Sequence, residues 1–149
     1  DSGRKVSIER ETFPAIVADG GLWAVQSDAY WVDAGTPQTY IDIQLDLIDG
    51  VRGSAHKGIA DSAKVDATAR VDHSVVMAGA TVEAGAVVRD SVVSTGARVA
   101  TNAVVDGSIV GPGATVESSA KLTGLAMLGD DALAPAGALL DGVKIPESG

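Results

Sequence analysis

The sequence predicts a mainly β protein: a parallel β-helix of 17-residue coils, preceded by a small α/β segment. Three observations predict it. The tripeptides Ser74-Val75-Val76, Ser91-Val92-Val93 and Ser108-Ile109-Val110 recur at a spacing of 17, the self-similarity expected of stacked structural units. Cut at that period from residue 57, the chain shows three aliphatic columns six residues apart. They hold Ile59, Val76, Val93, Val110 and Met127; Val65, Val82, Val99, Val116 and Leu133; and Val71, Val88, Val105, Leu122 and Leu139. Finally, all five aromatic residues (Phe13, Trp23, Tyr30, Trp31, Tyr40) lie in the first 40 positions. That shift in composition puts a change of architecture near Asp49-Gly50.

Three aliphatic columns mean three short strands per coil, each sending one large side chain inward. Stacked coils align equivalent residues at about 4.8 Å and form three parallel sheets around an aliphatic prism. Small residues, Ala63, Ala80, Ala97 and Ala114, then Ala69, Ala86, Ala103, Ala120 and Gly137, precede the large ones where the interior is narrow. Gly, Asn and Asp supply the corners, whose turn conformations β-branched residues resist. A helix would repeat its apolar residues every three and four positions, and this beat is six.

Composition narrows the function classes. With 46% hydrophobic residues in 149, the chain is no disordered polymer, and its apolar runs are too short to span a bilayer. Without cysteine it has neither disulfides nor thiolate metal sites. A formal charge of −9 argues against nucleic acid and anionic membrane as partners, because both select clustered Lys and Arg. The chain begins at Asp1 rather than Met, which leaves open a lost targeting segment.

In order along the first fifty residues, Ser7 is the N-cap of a helix over residues 7–17, with Pro14 dividing it and Gly20-Gly21 ending it. Residues 22–25 and 30–32 read as two strands around a Ser27-Asp28 turn, with Trp31 packed in a core. Thr36-Pro37, an N-cap followed by proline, opens a helix over residues 37–49 that stops at Gly50 and turns Tyr40, Ile43 and Leu47 to one face.

The repeat resembles the hexapeptide-repeat family, which implies a left-handed parallel β-helix over residues 51–149. The segment Ser7-Ile8-Glu9-Arg10-Glu11-Thr12-Phe13-Pro14, followed by Tyr30-Trp31-Val32-Asp33-Ala34-Gly35-Thr36-Pro37, resembles the end of the catalytic domain of sugar-1-phosphate nucleotidyltransferases. By pattern it is most similar to the mannose-1-phosphate guanylyltransferases. That resemblance implies three parts: residues 1–36 as the C-terminal end of a catalytic domain, 37–50 as a linker helix, and 51–149 as the β-helix.

It further implies a cytoplasmic enzyme that makes GDP-mannose and pyrophosphate from a sugar 1-phosphate and a nucleoside triphosphate, with Mg²⁺ as cofactor and homo-oligomers formed through the β-helix. In the family, the aspartate of the Trp-x-Asp-x-Gly-Thr-Pro element helps hold the catalytic Mg²⁺, and that role falls on Asp33. Gly35 and Thr36 form the tight turn beside it, toward the substrate. The alternative for Asp33 is an Asx turn or a helix-start cap. Glu9 is placed to approach the sugar or, alternatively, to complement a helix dipole.

The chemistry fits a carboxylate there. As the sugar phosphate attacks the α-phosphorus, charge builds on oxygens that a hard cation neutralises. Mg²⁺ typically takes one or two carboxylates and leaves its other positions to phosphate and water.

Two other readings stand beside this one. A hexapeptide-repeat acyltransferase would need a catalytic histidine and a long loop, and residues 57–124 show no insertion. A regulatory or scaffold subunit would use the β-helix only to assemble oligomers. His56 and His73, stacked with Asp90 in one corner column, are too few for a three-histidine zinc site and read as a solvated corner. No glycine-rich loop bearing Lys or Arg precedes residue 53. These 149 residues alone are therefore expected not to bind nucleoside triphosphate tightly. Calorimetry with GTP on this chain tests that, and clear saturable binding would contradict it.

Overall fold

The structure, a computed structural model, describes residues 3–146. The chain divides into two units, Asp1–Trp31 and Val32–Gly149.

In the first unit, a π-helical turn, Ile8–Thr12, leads directly into α1, Phe13–Ala18. The Ser7 hydroxyl accepts from the Arg10 N–H at 3.2 Å, so the expected cap is present. Glu11 returns toward the Ser7 N–H at 3.4 Å and pairs with Arg4 at 2.7 Å. Pro14 sits in the first turn of α1, where its missing N–H costs no hydrogen bond. The strands expected over residues 22–25 and 30–32 do not form, and Trp31 is no core residue. Trp23 and Trp31 are 89% and 81% exposed. A strand exists only through the backbone hydrogen bonds of a neighbour, and none adjoins these segments among the described residues.

The second unit is a parallel β-solenoid of about five turns with one helix on its side. Its three five-stranded sheets contain only parallel pairs. One stacks Lys64–Val65, Thr81–Val82, Arg98–Val99, Thr115–Val116 and Leu133–Ala134. The second stacks Arg70–Asp72, Val87–Arg89, Val104–Asp106, Lys121–Thr123 and Leu139–Asp141. The third stacks Val75–Val76, Val92–Val93, Ile109–Val110, Met127–Leu128 and Lys144–Ile145. Val76, Val82, Val88, Val93, Val99, Val105, Val110, Val116 and Leu122 fill the prism, with Ala80, Ala86, Ala97, Ala103, Ala114 and Ala120 beside them, all buried; Ala63 and Ala69 of the first coil are half-buried.

From the second coil on, the corners turn through left-handed backbone, whereas in the first coil only His73 does. The corner after the second sheet uses His73, Asp90, Gly107 and Gly124, with φ of 40°, 43°, 54° and 60°. Just beyond it, Ser74, Ser91 and Ser108 form a buried ladder. The hydroxyls of Ser74 and Ser91 accept from the next serine's N–H at 3.2 and 3.0 Å. Ser74 and Ser108 donate to the carbonyls of Asp72 and Asp106. A polar group can be buried there because both of its hydrogen-bonding roles are filled. In the next coil Ala126 takes the serine's place, its carbonyl receiving the Ile109 N–H as Ser108 receives that of Val92.

The last coil corrects the sequence register. Val65, Val82, Val99 and Val116 pair at a spacing of 17, but Val116 pairs with Ala134, not Leu133. Likewise Leu122 pairs with Leu140 rather than Leu139, and Val110 with Leu128 rather than Met127. An extra residue enters at Gly124-Leu125, both left-handed. Because side chains alternate along a strand, this shift exchanges inner and outer positions. Leu133 and Leu139 become 51% and 75% exposed, while Leu128 and Ala134 are buried and Ala138, not Gly137, lies against the core.

The helix α2, Pro37–Asp49, has the expected bounds. Thr36 and Thr39 form a reciprocal capping box, each hydroxyl accepting the other's N–H at 3.1 Å. Gly50 ends the helix at φ 75°, where an added Cβ would also lie 3.0 Å from the Ala55 nitrogen. The buried contact of α2 is centred on Ile41, which meets Val92 and Ile109 on the outside of the third sheet. Tyr40, Leu45, Met77, Leu125 and Met127 surround that contact. Ile43 and Leu47, expected on the buried face, are half-buried. Among the described residues no helix is long and apolar enough to cross a membrane.

The shifted register gives a direct test. Ala134→Asp, which buries an unpaired carboxylate, is expected to unfold the last coil at a cost of several kcal/mol. Leu133→Asp, one residue earlier and facing solvent, is expected to change stability by no more than about 0.5 kcal/mol. Denaturant melts of the two variants decide between this register and an unbroken 17-residue one.

Candidate functional site

The residues singled out by sequence lie in two places. Glu9 belongs to the first unit, exposed in the π-helical turn. Asp33, Gly35 and Thr36 lie together on the turn that enters α2, within the second unit. Thr36 has β geometry, and its hydroxyl is engaged with Thr39, whose own hydroxyl takes the Thr36 N–H. The capping box therefore supplies the helix-start hydrogen bonds without Asp33.

Asp33 is exposed, and its carboxylate forms no hydrogen bond or ion pair among the described residues. It folds back over the turn: a Cβ added at Gly35 would lie 3.4 and 3.5 Å from its two oxygens. A side chain at position 35 would cover the carboxylate, whereas glycine leaves it open to a ligand. Locally, Thr36 and Pro37 hold one side of this turn rigid, since proline fixes φ and the cap fixes the first helical N–H groups.

One carboxylate on a rigid turn fits Mg²⁺ as a single ligand. Among the described residues no three His, Cys, Asp or Glu side chains gather into a metal site. Further ligands, phosphate oxygens or groups from elsewhere, would have to complete the shell.

Beside the turn, a cleft of about 440 Å³ opens between the start of α2 and the outer face of the third sheet. Gly35, Pro37 and Tyr40 line one side, and Ile109, Met127 and Asp130 the other. Its volume lies in the range of small-ligand sites, about 300–1,000 Å³. The sequence pattern did not point to this cleft, which exists only because α2 lies across the sheet.

The histidines are not brought together as a site. His56 is exposed and donates its backbone N–H to the Leu47 carbonyl at 2.9 Å. His73 is exposed but engaged: Nδ1 lies 2.6 Å from Asp90 Oδ1, and Nε2 lies 3.1 Å from Asp49 Oδ2. Its pKa is raised above the ordinary histidine value, first by the hydrogen bond to Asp90 and then by that to Asp49. The solvated corner is thus also a tie between the coil and the end of α2. Asp90 was visible in the sequence as the next member of the corner column; Asp49 was not.

On the first sheet, Glu83 accepts from Arg98 Nε at 2.7 Å and from the N–H and hydroxyl of Thr101 at 3.1 Å. The Arg98 hydrogen bond leads in lowering its pKa. This cluster is a cross-coil brace, with every strong acceptor filled by a donor from a neighbouring coil.

Residues 54–147 match the family described as the GMPPB C-terminal domain. The chain is 38% identical over 76 residues to the mannose-1-phosphate guanylyltransferase of Mycobacterium tuberculosis, covering 45% of this chain and 21% of that protein. It is 35% identical over 74 residues to the probable mannose-1-phosphate guanylyltransferase 1 of Oryza sativa subsp. japonica, covering 50% and 20%. The matches span about a fifth of the length of these relatives. Among solved structures, a mutant GDP-perosamine N-acetyl transferase from Caulobacter crescentus, in complex with CoA and GDP-perosamine, is 20% identical. That match covers 75% of this chain and 65% of the other, with a TM-score of 0.25.

The turn depends on its cap. Thr36→Ala removes the half of the capping box in which the Thr36 hydroxyl accepts the Thr39 N–H, leaving the Thr36 N–H on Thr39; it is expected to destabilise by about 1 kcal/mol, whereas Thr36→Ser retains most of it. Denaturant unfolding, with amide exchange at residues 37–40 to localise the loss, measures this.

Proposed function

The chain belongs to the GMPPB C-terminal domain family, and from that premise we propose that it is the C-terminal part of a mannose-1-phosphate guanylyltransferase. On this reading the whole protein, in the cytoplasm, joins a sugar 1-phosphate to the guanylyl group of GTP, releasing pyrophosphate and GDP-mannose. The nucleotide-binding machinery is supplied by residues outside this chain, and the solenoid serves homo-oligomer assembly and support. The observation that carries the proposal is the open Asp33 carboxylate, held on a capped turn that runs through α2 into the matched solenoid.

Each residue of the turn has a role in that reading. Asp33 supplies one hard oxygen ligand at the place where Mg²⁺ would be held, and a cation there neutralises charge developing on phosphate oxygens. Gly35 keeps the carboxylate uncovered. Thr36 and Pro37 limit the movement of the turn, so the ligand is positioned before substrate arrives and little reorganisation accompanies the transfer. Ile41, seated on Val92 and Ile109, anchors the helix that carries the turn. Glu9 is the proposed sugar-contacting residue. The solenoid interior is aliphatic and alanine throughout its buried core cluster, which supports a structural role.

Asp33→Asn in the catalytically competent enzyme that contains this chain keeps the size of the side chain and removes its charge. The expected result is a fall in kcat on the order of 100-fold, little change in thermal stability, and partial recovery with excess Mg²⁺ or Mn²⁺. Pyrophosphorolysis of GDP-mannose measures it, and a rate close to that of the parent would refute the metal-ligand role.

A further inference from the structure

We propose that His73 is a positioning residue for the Asp33 turn: as an imidazolium it clasps the last residue of α2 to the solenoid corner. The proposal rests on the reading of that turn as the functional site.

The geometry of the ring carries it. Both nitrogens face carboxylate oxygens, Nδ1 that of Asp90 at 2.6 Å and Nε2 that of Asp49 at 3.1 Å. A neutral imidazole has one N–H and one lone pair, so it can donate to only one of them. The other nitrogen would then turn its lone pair toward a carboxylate. Only the doubly protonated ring satisfies both contacts.

The elements adjoining the ring carry Asp46 and Asp49 on α2, Asp72 on its own coil, Asp90 on the next coil, and Arg52 and His56 on the connecting segment. The two in direct hydrogen-bonding contact are carboxylates, and the carbonyl end of α2 adds a further preference for a cation.

The backbone sets the ring there. His73 and Asp90 occupy the left-handed corner at φ 40° and 43°, a conformation that His and Asp tolerate better than most side chains. The corner thereby carries two side chains that reach each other, and His73 also reaches Asp49.

The consequence reaches the site through a rigid rod. Asp49 and Pro37 are the two ends of α2, separated by about 18 Å of helix. Ile41 anchors the first half on the sheet. At the far end the clasp adds to the His56 N–H on the Leu47 carbonyl and to Ile48 beside Gly58. Loosening the clasp slackens that end, and a tilt of the rod carries Gly35 and Thr36 with it. The raised histidine pKa fixes the direction. The extra hold is fully present below the ordinary histidine value and is lost as pH rises through the raised value in the folded chain. Ring and carboxylates are all at least 41% exposed, so solvent and salt screen the clasp, which makes it adjustable.

NMR of this chain tests the proposal. His73 is expected to carry protons on both ring nitrogens at neutral pH and to titrate above the ordinary histidine value. Each pH unit of that upward shift corresponds to about a tenfold tighter hold by the imidazolium. The amides of Gly35 and Thr36 are expected to shift with the His73 titration in the parent chain and to stop doing so in His73→Gln. Asp49→Asn should lower the His73 titration while leaving the solenoid intact. Titration of His73 at the ordinary histidine value, or Gly35 and Thr36 amides that ignore it, would overturn the clasp. None of these readouts depends on catalysis, so a failure of the Asp33 assignment, seen in Asp33→Asn, is distinguishable from a failure of this one.

Discussion

A coil of this solenoid cannot bury anything alone. Each contributes a few inward side chains to a prism whose floor and ceiling are the adjacent coils, so burial of Val99 depends on Val82 and Val116 as much as on Val99 itself. The backbone follows the same rule, since a coil's N–H groups find their acceptors on neighbours: Thr81 on Ala97, Arg98 on Ala114, Thr115 on Ala132. Stability is therefore shared between neighbouring coils rather than held within any one of them. This requirement for vertical alignment governs what the sequence can vary. Interior columns stay aliphatic or small, corners stay left-handed, and the buried serines sit where successive coils complete one another's hydrogen bonds.

Against so strict a period, the extra residue at Gly124-Leu125 has a recognisable effect. It sends Leu128 inward and Met127 outward, and both Leu125 and Met127 then join the apolar patch beneath α2. An unbroken period would have put Met127 in the prism and Leu128 under the helix. The chain meets the demand for an aliphatic interior either way, but the inserted corner adds Leu125 to the outer patch. The cost is a leucine held at φ 67°, a region bulky side chains seldom occupy. The helix and the irregular coil are thus parts of one packing solution, centred on Ile41 with Val92 and Ile109.

Much of this was legible because the signals are local and repeated. The Val and Ala columns identify the interior from residue 63 to Leu122, and Thr36-Pro37 and Gly50 bound α2 to the residue. The failures have different causes. Leu125 carries no mark of a left-handed corner, so the slip in the final coil was invisible from composition. Leu22, Trp23 and Val25 have the residue types of a strand, but a strand also needs a partner that local sequence cannot supply. In α2, Tyr40, Ile41, Ile43, Leu45, Leu47 and Ile48 leave little polar contrast around the helix, and only docking on the sheet selects Ile41. At the candidate site, Asp33, Gly35 and Thr36 were found as a motif. That Thr36 is consumed by its cap and Asp33 is left open depends on the reciprocal hydrogen bonds between Thr36 and Thr39, which the residue types alone do not fix.

The same helix joins the two halves of the functional reading. A carboxylate at the start of a helix is only as well placed as the helix. Among the contacts that hold α2 to the solenoid are an apolar seat and an exposed ionic contact, of very different physical character. The apolar seat is insensitive to pH and nearly insensitive to salt, whereas the imidazolium between Asp49 and Asp90 responds to both. The two contacts lie on the solenoid's third sheet and at a corner next to it. Any force that distorts the stack would act on these contacts and through them on the turn. A rigid solenoid is suited to that work because its coils do not deform independently. It can transmit a small displacement to α2 instead of absorbing it.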